Sequence, residues 1–165
     1  MTTPSDKPRS NRALLIVIIA LLLLILCGGT VPVVGILAAI AIPNFMVYQQ
    51  RAKRAEIPSF VEGIRAAQIA HGAVFDGYLA IPEPVPLDPL MLSDRPVDWP
   101  SGTGFDELGW EPVGSVYGTY WVEVSSDGSD FTVHGLCDVD GDGDPAHYTA
   151  TRNTRATLET MNHVY

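Results

Sequence analysis

Asp138, Asp140, Asp142 and Asp144 alternate along one short stretch, DVDGDGD. Carboxylates at that spacing can converge on a hard cation, and Asp138-x-Asp140-x-Asp142-Gly143 opens in the manner of a calcium loop. Such a loop closes on a bidentate Glu, and here Thr149 stands at that position. Half of the motif is present. The stretch therefore reads first as an acidic β-turn whose glycines take positive φ. Any calcium would bind weakly, and no other cofactor is implied. His71 has no partner at ligand spacing and reads as a partly buried or solvated imidazole. There is no nucleophile elbow, phosphate loop or His/Cys metal cluster, so no enzymatic activity is expected.

These aspartates belong to a chain of 165 residues, long enough for one domain or one domain with an anchor. Its 10 Lys+Arg stand against 19 Asp+Glu, a net charge of −9. The acidic balance gives no basic footprint for nucleic acid. Mean hydropathy is nevertheless positive, at +0.17. A very apolar segment must offset the acids, and it lies at the N-terminus. After Ala55 there are 18 acids and four bases (Arg65, Arg95, Arg152 and Arg155), a balance of −14. Such a region does not adhere to an anionic bilayer by charge alone.

From Ala13 to Ile42 no residue is charged. At about 1.5 Å per residue that run makes a helix of roughly 45 Å, longer than a ~30 Å hydrocarbon core. A cleaved secretory signal has an apolar core of only about 7–15 residues, so a retained signal-anchor is the better reading. Leu14 to Leu26 followed by Cys27-Gly28 is similar to a lipoprotein signal. That signal needs a small residue before the cysteine, where this chain has Leu26. Cys27 reads instead as a small membrane-buried hydrophobe. Gly28, Gly29 and Pro32 predict a local kink, since neither half of the run could span alone. Lys7, Arg9 and Arg12 at one end balance Arg51, Lys53 and Arg54 at the other. The positive-inside count is a tie. The N-terminus is placed in the cytoplasm because the rest reads as an exported domain.

Beyond Pro43 the composition favours helix. Ile57, Phe60, Val61, Ile64 and Ala67, continued by Ala70 and Val74, form one apolar stripe, predicting an amphipathic stem to about Ala73. Pro43 and Pro58 should kink or fray it. Seven of the 13 prolines fall between residues 81 and 112, which reads as a long irregular connection. Trp99, Phe105 and Trp110 either anchor that connection to a core or form an exposed binding patch. Val116–Val124, Phe131–Val139 and Ala146–Thr151 read as three strands separated by SSDGSD and DGDGDP turns. Cys137 is expected to be a buried free thiol, with an intermolecular disulfide as the alternative.

Gly35 to Phe45 reads GILAAIAIPNF and is followed by Gln49, Arg51, Ala52, Lys53 and Glu56. This string closely resembles the N-terminal helix of type IV pilins and type II secretion pseudopilins. Gly77-Tyr78, Leu108-Gly109-Trp110 with Pro112, Tyr120-Trp121 and DVDGDGDPAHYTATRNT extend the likeness to pilin-like proteins of some Gram-negative bacteria. Together they cover roughly Val33 to Tyr165. The resemblance implies a helix half-packed on an antiparallel sheet. It also implies lateral association through that helix, for which Gly35, Ala38, Ala39 and Pro43 are the candidate packing residues. Pilin precursors are cut after a Gly and carry Glu at the fifth mature position. Aligned on Gly35, this chain has Leu21 and Leu26 at those two places. The N-terminus is thus atypical and lacks the prepilin cleavage site, so the anchor should remain uncleaved.

The expected fold class is α+β. A cytoplasmic basic tail (1–12), a transmembrane helix (13–42) and a stem helix (43–80) lead to a Pro/Gly-rich loop (81–115). An antiparallel sheet of about three strands with a C-terminal tail (116–165) completes the chain. The expected role is a single-pass, inner-membrane, pilin-like structural protein whose partners are the membrane and other pilin or pseudopilin subunits. The alternative is a membrane-tethered extracytoplasmic binding module that uses the pilin-type helix only as an anchor.

Overall fold

The computed structural model describes residues 11–161. The side chains at positions 27 and 29–31 lie outside that description, as does most of the basic tail, so the expectations for Cys27 and the tail lie there too. Two compact units are present, residues 1–46 and 47–165. Helix α1 runs Asn11–Arg54 and remains helical through Pro32 and Pro43. Its large apolar side chains from Leu14 to Tyr48 are exposed. Among the described residues, one helical stretch near the N-terminus, beginning at Pro32 within α1, is long and apolar enough to cross a membrane, and Asn11–Leu26 is a shorter apolar stretch of the same helix. The chain breaks the helix at Ala55 and resumes as α2, Glu56–Phe75. Pro58 explains the break. It has no N–H for the carbonyl of Arg54, yet within the first turn of a new helix that donor is not needed.

The second unit is an antiparallel meander with α2 on one face. Its strands are β1 (Ile81–Val85), β2 (Gly118–Val124), β3 (Phe131–Cys137), β4 (Ala146–Thr151) and β5 (Thr157–Leu158), paired in chain order. Five strands replace the three expected. β2, β3 and β4 fall where the alternation placed them, although β2 begins after Val116 and β3 stops before Val139. β1 and β5 escape sequence reading for physical reasons. β1 carries Pro82 and Pro84 on a sheet edge, and four steps along it match only two along β2. Both prolines therefore sit in a bulge, where a missing amide costs no ladder bond. β5 is two residues long, too short for any period. The Pro-rich segment also holds a 3₁₀ turn (Pro89–Met91) and a short helix α3 (Gly104–Leu108).

α2 lies directly on β3 and β4. Ile57, Val61 and Ile64 are fully buried against Tyr120, Val122, Phe131 and Val133. Burying each such apolar side chain stabilises the fold by about 1.5–3 kcal/mol. The close approach depends on two glycines. A Cβ on Gly135 would stand 2.6 Å from Val61 Cγ2, and one on Gly118 would stand 2.5 Å from Ile57 Cδ1. The fourth buried position of α2 is Gln68, not the predicted Ala70 or Val74, which are exposed. Gln68 copies a backbone pairing: its Nε2 donates to Leu79 O (2.7 Å) and its Oε1 accepts from Leu79 N (3.0 Å).

Polar clips fix the same helix at both ends of its buried stripe. Glu56 Oε1 accepts from Tyr117 N (2.9 Å) and from the Tyr120 hydroxyl (3.2 Å). Arg65 donates to Thr151 O (2.7 Å), Arg152 O (2.8 Å) and Glu62 Oε1 (2.9 Å). Glu62 Oε2 in turn accepts from Ala156 N at 3.1 Å. Trp99 packs edge-on against Phe105 and Trp110, Trp110 edge-on against Phe60, both tryptophans lie tilted against Tyr120, and Phe105 is fully buried. Of the two readings for these aromatics, the structure has the core anchor.

Candidate functional site

The acidic turn joins β3 to β4. Asp138 is buried, and its two carboxylate oxygens accept from Gly141 N (2.7 Å) and Gly143 N (3.0 Å). Gly141 and Gly143 have φ of 74° and 86°, the left-handed region that the turn reading requires. Asp142 Oδ1 accepts from Asp144 N at 2.9 Å. Carboxylate oxygens of Asp138, Asp140 and Asp142 lie within 4.8 Å of one another, while Asp144 is outside that group. Asp140 Oδ1 is sealed from solvent without a hydrogen-bond partner. Its carboxyl is held above the usual range, first by desolvation and then by the facing Asp138 and Asp142. The three carboxylates could take up a hard cation. Three of their six oxygens are nonetheless already engaged by the turn's own amides, and that is what shapes the loop.

Gly35, Ala38, Ala39 and Pro43 all lie on α1. Gly35 has open space where a Cβ would stand, so that point is accessible to a neighbouring helix. His71 sits on α2, its Nδ1 2.9 Å from Gly77 O and its ring 4.6 Å from Phe75. It is held by its own helix end. Cys137 is a buried free thiol, pushed up to about 12 mainly by desolvation, and so stays protonated and inert at neutral pH.

The sheet face turned away from α2 carries a constellation that sequence reading missed. Trp121 pairs with His134 across β2 and β3. His134 pairs with Thr149, and Leu136 with His147, across β3 and β4. The two histidines are therefore diagonal neighbours on one face. Their Nδ1 (His134) and Nε2 (His147) atoms stand 3.1 Å apart. Trp121 stacks on His134, with centroids 4.6 Å apart and planes at 5°. A carboxylate flanks each end of the row. Glu123 Oε2 is 3.9 Å from His134 Nε2, and Glu159 lies opposite His147, donating its amide to His147 O at 2.8 Å. Glu159 Oε1 also accepts from the Thr149 hydroxyl at 2.6 Å. Desolvation lowers the pKa of both imidazoles, and the neighbouring glutamates only partly oppose it. Nothing in the spacing of residues 134 and 147 marks them. Only the strand register brings them together.

Comparison with protein-family models, with curated proteins and with solved structures finds no match.

Proposed function

We propose that this chain is a non-enzymatic, pilin-like structural protein held in a bacterial inner membrane by α1. Its N-terminus lies in the cytoplasm and its sheet domain in the periplasm or outside the cell. It serves as an accessory or minor subunit of a type IV pilus or a type II secretion pseudopilus. Neighbouring pilin-type helices meet it through Gly35, Ala38, Ala39 and Pro43. The observation that carries this reading is the order of parts. The GILAAIAIPNF string lies inside a helix apolar enough to span a membrane, and the next helix covers one face of an antiparallel meander. The test is to shear surface fibres from cells and follow the protein. A subunit co-purifies with fibres in small amount.

A second reading is a tethered extracytoplasmic binding module. What favours it is the exposed apolar tips of the segment between β1 and β2, with Leu90, Met91 and Val113 at 94%, 68% and 101% exposure. A chain that stays wholly in the membrane fraction after shearing supports this second reading over the first.

A further inference from the structure

We infer that the turn carrying Leu90 and Met91 seats in the lipid surface beside the anchor, so that the sheet domain touches the bilayer at a second point. The inference rests on the reading of α1 as a membrane anchor and adds a lipid-facing surface to it.

The turn is apolar, and it is held outward. Leu90 and Met91 are 94% and 68% exposed, side by side in the 3₁₀ turn Pro89–Met91. Asp88 Oδ1 accepts from Leu90 N at 2.9 Å and closes that turn. Both feet of the excursion are pinned to the sheet. Leu87 O accepts from the Thr119 hydroxyl at 2.6 Å, and Val97 exchanges two backbone bonds of 2.8 Å with Val116. Exposed apolar side chains that stand together, rather than singly, mark a contact surface.

The position of the turn selects lipid as the partner. Between Arg12 and Arg51 no residue is charged, and Tyr48, well exposed, is the last aromatic of that run. A tyrosine there suits the headgroup level. Lys53 follows five residues on in the same helix, about 7.5 Å further along its axis. That is roughly the thickness of one headgroup layer, ~5–8 Å. Lys53 Nζ donates to Asp94 O at 3.1 Å and lies 5.0 Å from the Tyr117 ring. Met91 is three residues from Asp94, at most ~11 Å of chain. The apolar tip is thereby tied to the part of the helix that leaves the membrane. Elements seated in the interface sink their apolar side by about 5–10 Å. Apolar contact, not charge, drives the seating. The acidic turn follows directly on Cys137, which pairs with Gly118 at this same end of the sheet, so carboxylates offset the basic residues there.

The test places a nitroxide label on single cysteines of the full chain, in a Cys27→Ser background, reconstituted into phosphatidylcholine vesicles. The positions are Leu90→Cys, Met91→Cys, Val34→Cys within α1, and Ser126→Cys in the turn between β2 and β3. That last turn borders Gly72 and Ala73, at the other end of α2. Collision with oxygen reports lipid, and collision with a nickel chelate reports water. Labels at 90 and 91 should favour oxygen over the chelate several-fold more than the label at 126, with no change when phosphatidylglycerol is added. Chelate access at 90 and 91 equal to that at 126, with the label at 34 in lipid, would overturn this inference and leave the anchor standing. Water at position 34 would overturn the anchor reading and this inference with it. Spin–spin broadening at 91 that fades on dilution into more lipid would put a second copy of the chain on the turn instead. Lipid contact seen only with phosphatidylglycerol would overturn the apolar drive.

Discussion

Helices α1 and α2 follow one another in the chain, separated only by Ala55, and they distribute their apolar residues differently. α1 carries no charge from Ala13 to Ile42 and exposes its apolar side chains all round. No amphipathic stripe divides its large apolar side chains, and a hydrocarbon environment would suit them on every side. α2 is one-sided. Ile57, Val61, Ile64 and Gln68 are buried, and the helix is clipped to the sheet by Glu56, Glu62 and Arg65. Mutations should therefore separate the two. Changes in α1 should alter where the protein resides, and changes in α2 or beneath it whether the domain folds.

The largest effect expected is on α1. Leu24→Lys, near the middle of the uncharged run, should disfavour insertion by roughly 3 kcal/mol. It is measured as the fraction resisting alkaline carbonate extraction, and the melting midpoint of the sheet domain should not change. The converse is Gly135→Val. Its side chain meets Val61 and Ile57, so the domain should lose about 2–3 kcal/mol in melts while membrane retention persists. Next, Gln68→Leu strands the N–H and C=O of Leu79 and should cost about 2 kcal/mol by denaturant titration in detergent. If Leu24→Lys lowers the melting midpoint as much as Gly135→Val does, the division between the helices is wrong.

The smallest effect is a pH dependence. His134 and His147 have folded-state pKa values below the ordinary 6.5. A depressed value means the folded state resists protonation. The stability they contribute is present above pH 6.5 and is lost as pH falls through their lower folded values. The melting midpoint should decline on acidification below that point. The His134→Gln/His147→Gln double variant should decline less, with the difference between the two curves isolating the pair from the carboxylates.

What was legible in the sequence follows the same physical line. Long periodic segments were readable: the uncharged run, the α2 stripe, and the alternation in β2, β3 and β4. The acidic turn was readable as a turn because Asp138, Gly141 and Gly143 supply the capping carboxylate and the left-handed backbone. Gln68 was not, because a polar residue at a buried position gives no hydrophobic signal. β1 was hidden by its prolines. α3 was hidden by its length, although Thr103 caps its start and Gly109 its end. The histidine pair was hidden most completely, since its two members meet only through the β3–β4 register.

The central claim is that α1 is kept as a permanent membrane anchor. Intact mass and N-terminal sequencing of the protein extracted from cell membranes test it most directly. A permanent anchor gives an N-terminus that precedes Ala13 and a mass without lipid. A new N-terminus at Leu22 would contradict it and restore ordinary pilin processing, and a lipid-modified Cys27 would contradict it in favour of a lipoprotein.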